Sequence, residues 1–221
     1  MTFRLTDTDI VAISNADSNY INNKGADYYK EGKYALAVEY YRLATAMGNL
    51  KSVSNLGYCY LYGRDIEADL DLAIAYFRIA SLRGDIDASY KLGDIYDSGK
   101  WGVKDREMSV YYYRMAGSYI LGDDWDNGNI AYNDELQKYP SLCFALGREM
   151  APGGLLYTDL DSSYQFLMAA QKGYELEMAN GVPYYKDVYQ SVLEWMNRDE
   201  YQIIRDKYAM IDDDDDEVFT S

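Results

Sequence analysis

A 36-residue interval recurs through the middle of the chain, and it constrains the fold more than any single residue does. Leu56-Gly57 returns as Leu92-Gly93, and Tyr60 returns as Tyr96. Ala73 returns as Ser109, Tyr76-Phe77-Arg78 as Tyr112-Tyr113-Arg114, and Ala80 as Ala116. One step back, the same register finds Ala37, Tyr40-Tyr41-Arg42, Ala44 and Gly48, the last matching Gly84. A repeat of this length is one supersecondary unit that cannot bury its apolar face alone and does so against the next copy.

Within a unit the pattern predicts two helices. Leu56 and Tyr60 are four apart and share a face, so Lys51 to Tyr62 reads as the first helix. Gly57 sits in the middle of it, where glycine costs about 1 kcal/mol relative to alanine. Close approach of a neighbouring helix is the expected compensation. Gly63 ends this helix, and Asp69 is placed to cap the next. Ala73, Phe77 and Ala80 then mark a second buried face, closed by Gly84. The predicted fold is all-α: stacked antiparallel helix pairs forming a right-handed superhelix within a single domain, residues 1–211.

The units fall at about 18–48, 51–84, 87–121 and 139–173. The first has an inter-helix loop four residues shorter than the second. The fourth starts from Leu146-Gly147 and carries Ser162, Phe166, Ala169 and Gly173 at the spacings of Ala73 to Gly84, with Met150 in place of the tyrosine. An insertion, 118–138, breaks the period before it. Amphipathic helices at 184–210, with Val188, Val192, Trp195 and Met196, read as a terminal cap, and the segment before residue 18 as the opposite cap. Residues 212–221 begin with a run of like charge and read as a solvated acidic tail.

Composition removes several function classes. The 221 residues carry a net charge of −16 and no histidine. Phosphate backbones are bound by releasing counterions onto Lys and Arg, so this balance argues against nucleic acid and anionic lipid. Without histidine, Ser-His-Asp, Cys-His and HExxH chemistry are excluded. No apolar run is long enough for a membrane span, and no basic start followed by an apolar stretch suggests a leader. A cytoplasmic location is the expectation, with no cofactor. Cys59 and Cys143 lie in apolar stretches 84 positions apart and read as buried free thiols.

Three sharper motifs fail on inspection. Asp123 to Asp134 has calcium-loop spacing, but Trp125 takes a liganding position and Asp134 replaces the bidentate glutamate. Gly93 to Gly99-Lys100 has its glycines one residue too far apart for a phosphate loop, and Trp101 stands where Ser or Thr should be. Asp94 and Asp97 could do acid–base work, but an i, i+3 acid pair on a helix reads better as a solvated face.

The run Leu-Gly-x-x-Tyr-x-x-Gly, then Asp, Ala-x-x-Tyr-Phe-x-x-Ala and a closing Gly resembles the Sel1-like repeat, a relative of the tetratricopeptide repeat. The residues carrying the likeness are Leu56, Gly57, Tyr60, Gly63, Asp69, Ala73, Tyr76, Phe77, Ala80 and Gly84, with their third-unit equivalents. The resemblance implies a superhelix of helix pairs acting as adaptor or scaffold. In tetratricopeptide proteins the first helix of each pair supplies ligand contacts on the concave side. The positions that map there are Asn19, Asn22, Lys51, Ser54, Tyr58, Asp87, Tyr90, Asp94, Phe144 and Arg148. A carboxylate clamp is disfavoured, because Asp87 and Asp94 oppose an anion. Tyr58 and Tyr90 are the leading contact candidates, since tyrosine offers large area at low entropy cost.

The functional expectation is a non-catalytic module holding a neutral or basic protein segment. Two alternatives stay open: a carboxylate hydrolase or small-ligand protein, marked by a deep pocket with two facing acids, and a self-associating scaffold whose tyrosine-rich terminal helix, Tyr184 to Trp195, stacks end to end.

Overall fold

A computed structural model describes residues 3–122, 130–181 and 185–209. The described residues are helical with no strand. The acidic tail and part of the calcium-like stretch, residues 123–129, lie outside the described residues. The chain condenses into two compact units, Met1–Tyr112 and Tyr113–Ser221.

The first unit holds α1 (Asp7–Ser14), α2 (Ser18–Lys30), α3 (Tyr34–Ala46), α4 (Leu50–Tyr62), α5 (Leu70–Ser81), α6 (Ile86–Ser98) and the start of α7 (Arg106–Leu121). The helix boundaries follow the expected punctuation. Asp17, Asn49, Asp69 and Asp85 each accept a hydrogen bond from a first-turn amide of α2, α4, α5 and α6. Each such cap satisfies an amide the helix itself leaves unpaired, worth about 1 kcal/mol. Gly57 answers its own cost: a Cβ there would lie 2.8 Å from the fully buried Phe77 ring. The long inter-helix loop is pinned by a repeated backbone bond, Asp69 N–H to the Tyr60 carbonyl and Asp105 N–H to that of Tyr96, both 3.0 Å.

A second repeated device binds one unit to the next. Tyr60 stacks on Tyr76 at 5.5 Å and 8°, and Tyr96 on Tyr112 at 6.0 Å and 5°. A guanidinium of the preceding second helix clasps the second pair, Arg78 donating to the Tyr96 hydroxyl at 2.9 Å, and Arg42 stands at the equivalent position before the first. Tyr60 is half-buried, not fully enclosed. At the N-terminal end the equivalent pair is Tyr28 and Tyr40, 5.4 Å apart and tilted by 31°. Here α1 closes the pair. The Tyr40 hydroxyl donates to Asp9 at 2.7 Å, and Lys24 forms an ion pair with the same, fully buried carboxylate at 2.6 Å.

The second unit holds the rest of α7, α8 (Asp134–Gln137), α9 (Pro140–Met150), α10 (Leu160–Ala179), α11 (Lys186–Met196), a 3-10 turn (Asp199–Tyr201) and α12 (202–209). Leu142, Leu146, Phe166, Val192 and Tyr201 are fully buried. The backbone bond of the long loop persists as Asp159 N–H to the Met150 carbonyl, 3.2 Å, so losing the tyrosine does not disturb it. The stacking pair is lost, because Met150 and Gln165 stand in its place. Gln165 instead accepts the Ile130 amide at 3.0 Å, a contact within the insertion.

α7 continues to Leu121, the expected end of the third unit, because Ile120 stands where Gly84 closes α5. One feature departs from the sequence expectation. Gly173 does not close its helix. α10 runs through it to Ala179, and a Cβ there would lie 2.3 Å from the Gln137 carbonyl oxygen. Glycine is required at that point for the close approach of α8, not for a turn. The C-terminal cap is held by polar contacts: the Tyr201 hydroxyl meets Ser163 Oγ at 2.6 Å, and Ser163 donates to the Gly147 carbonyl at 2.6 Å.

Candidate functional site

The first helices of the three units in Met1–Tyr112 are joined along one seam. Asn49 donates to Asn19 at 2.8 Å, Asn55 to Asn22 at 3.0 Å, and Ser54 to Asp85 at 3.2 Å. Asn22 and Ser54 are consequently buried, each 5% exposed, and act as cross-links between helices. Asn19, Lys51 and Asp87 remain exposed beside the seam. These distances bring α2, α4 and α6 side by side.

An aromatic cluster occupies the α4–α6 part of this face. Tyr58 packs edge-on against Phe77 at 4.9 Å and stacks on Tyr62 at 6.4 Å and 6°. Tyr62, 41% exposed, meets Trp101 edge-on at 5.6 Å. Lys91 Nζ lies 5.9 Å from the Tyr58 ring and 5.8 Å from the Tyr90 ring, and pairs with Asp94 at 2.8 Å. The Arg64 guanidinium lies over Tyr34 at 4.9 Å and Tyr62 at 5.8 Å. These are cation–π distances, and they hold the rings in fixed positions.

The local field is acidic. Burial pushes the Tyr58 hydroxyl well above the usual tyrosine range, with Asp87 and Asp85 adding to it. Burial also raises Asp85, against the Ala88 amide bond, and Asp87 raises it further. Tyr62, Lys91, Arg64 and Trp101 are not among the contact residues expected from the sequence. Tyr62 was visible as the i+4 neighbour of Tyr58. Trp101 follows the turn glycine of a long loop, and only the fold returns that loop to α4.

Phe144 and Arg148 belong to the second unit. Arg148 lies over the Phe144 ring at 4.9 Å, and Trp195 of α11 meets that ring edge-on at 6.5 Å. Arg198 in turn covers Trp195 at 3.3 Å. The terminal cap therefore packs on this part of the first-helix face.

The family model of the Sel1 repeat matches residues 17–49, 51–85 and 86–118. Residues 17–118 are Sel1 repeats. Sel1 repeats typically serve as protein–protein interaction modules. The fourth helix pair lies outside the matched residues. Among solved structures, a Sel1 repeat protein from Oxalobacter formigenes is 24% identical with a TM-score of 0.46, covering 68% of this chain and 95% of that one. A protective antigen present in uropathogenic Escherichia coli strains, displaying an SLR fold, is 21% identical with a TM-score of 0.44 over 86% of this chain. The chain spans 47% of that antigen's length. No curated protein matches the chain.

A pocket of about 420 Å³ lies elsewhere in the first unit, walled by Phe3 and Ile66 over α3. Its acids are committed to structural bonds: Glu39 pairs with Arg42 at 2.8 Å, and Asp65 accepts the Ala35 amide at 2.9 Å. This is not the facing acid pair that carboxylate chemistry needs. The described residues contain no group of three or more acidic, Cys or His side chains placed to hold a metal. No helix among them is long and apolar enough to cross a membrane.

Proposed function

We propose that the chain is a non-catalytic adaptor that holds a segment of a partner protein on the face built by α4, α6 and the loop carrying Trp101. The observation that carries this reading is the cluster of Tyr58, Tyr62 and Tyr90 on adjacent Sel1 first helices with Trp101 of the following loop. Aromatic side chains held rigid by their neighbours lose little entropy on binding and dominate interface energies, at about 2 kcal/mol or more for a central residue. Asn19 and Lys51 extend the face along α2 and α4, and Asp87 and Asp94 along α6. Asn22 and Ser54 set the helix spacing from beneath. Phe144 and Arg148 belong to a separate contact whose availability depends on α11. Asp85, Asp87 and Asp94 line the α6 side of this face, in a chain of net charge −16, which favours a neutral or basic segment.

Site-specific cross-linking tests this reading. A photoreactive phenylalanine analogue replaces Tyr62, and in a second chain it replaces Tyr157, which is 88% exposed in the second unit. The proposal expects a discrete adduct of one partner from position 62 and none of that mass from position 157. The same adducts from both positions would rule the face out.

A further inference from the structure

The helix α1 is seated by a small number of specific contacts. Asp9 and Ala12 are its two buried residues. Asp9 is held by Lys24 at 2.6 Å, the Tyr40 hydroxyl at 2.7 Å and the Thr6 amide at 2.7 Å. Phe3, ahead of the helix, packs edge-on against Tyr40 at 5.1 Å. The opposite face carries Ile10 and Val11, 53% and 57% exposed. Everything that receives α1 belongs to α2 and α3: Ile21, Lys24, Tyr40 and Ala44.

The link from α1 to α2 is residues 15–17, and it is strained. Asp17 N–H bonds back to the Ala12 carbonyl at 2.9 Å, which forces Ala16 to φ +55. The chain makes the same turn after α2, α3 and α5. There the returning bonds are Lys33 to Tyr28, Asn49 to Ala44 and Asp85 to Ala80, and the left-handed residue is Gly32, Gly48 or Gly84. Glycine adopts this conformation without penalty; alanine does not. Of four turns of one kind, the strained one is the hinge to a terminal helix.

The geometry points to exchange of α1 between two copies of the chain. Each α1 occupies the Lys24–Tyr40 seat of the other copy, so every contact of the seat is kept. Both hinges open, and Ala16 leaves the left-handed region. A short hinge under strain joined to a self-contained terminal element is the arrangement in which such exchange costs least. The occupant is a second copy because the seat is shaped for α1 itself: a carboxylate between an ammonium and a phenol, beside Ala12. This assembly is independent of the α4–α6 face.

The test measures mass by light scattering after refolding at high concentration. The wild type is expected to yield a fraction at twice the 25.4 kDa of one chain. Ala16→Gly removes the hinge strain and lowers the association constant by on the order of tenfold per hinge. A second arm uses Asp9→Lys and Lys24→Asp chains. Each alone places like charges in its own seat, whereas a swapped pair satisfies both seats. Refolded together, they should form a 1:1 dimer that neither forms alone, with far-UV circular dichroism confirming that each chain is folded. A monomeric wild type, a dimer unchanged by Ala16→Gly, or a mixture that stays monomeric would each overturn the exchange.

Discussion

The closing contact at the N-terminal end gives the most quantitative prediction. Asp9 is fully buried, and burial alone would raise its pKa. Its hydrogen bonds to Lys24, the Thr6 backbone and Tyr40 outweigh that effect and lower it from 3.8 to about 2. A carboxyl whose pKa falls on folding contributes stability above its unfolded value and loses it as pH drops through the folded one. The drop corresponds to about 2 kcal/mol, fully present above about pH 5. Roughly half remains near pH 3, and little is left near pH 2. Asp9→Asn abolishes the titration, so the difference between wild type and variant isolates this group from the other 36 acidic residues. Urea unfolding followed by circular dichroism at several pH values measures that difference. It should shrink by about 2 kcal/mol between pH 6 and pH 2. A difference that stays constant over this range would refute the assignment of Asp9 as an ionised, clasped carboxylate.

Other perturbations probe the seams. Arg78→Met removes the clasp on Tyr96 and Tyr112 and should cost about 1 kcal/mol in the first unit, read as a lower melting midpoint with unchanged helicity. Gly173→Ala places a Cβ against the Gln137 carbonyl, an atom that cannot move aside. It should destabilise the second unit by roughly 1–3 kcal/mol, seen as faster hydrogen exchange in α8 and α10 and not in α3 to α6. Cys59 is pushed up to about 11 by burial, and Cys143 is raised further. Both thiols should resist an aromatic disulfide reagent at pH 8 until denaturant is added; prompt reaction of either would show that its helix is not packed as described.

Much of the fold was legible because the repeat forces it. Leu56, Phe77, Ala73 and Ala80 recur at fixed spacing, and all four are buried to within 1%. Gly57 read as a close-approach position because glycine in a helix needs a reason, and Phe77 is that reason. Gly173 shared the spacing of a helix stop but served close approach instead, since spacing alone does not distinguish the two uses. The Arg–Tyr clasp was present in the sequence as Tyr-x-Arg at 36-residue steps. Its meaning depends on which helix faces which, and a linear pattern does not carry that. Trp101 joined the candidate face for the same reason, through a loop whose path is set by the Asp105-to-Tyr96 bond. Asn22 and Ser54 mapped correctly to first helices, but the cross-helix bonds that bury them arise only when α2, α4 and α6 stand side by side.

Equilibrium binding of the captured partner to a set of surface variants tests the central claim most directly. Tyr62→Ala with Tyr90→Ala is compared with Tyr157→Ala and with wild type, after circular dichroism confirms that all are folded. The adaptor reading predicts that the double variant loses at least about 2 kcal/mol of affinity, some thirtyfold in Kd, while Tyr157→Ala binds as wild type. Equal affinity across all three chains would contradict it.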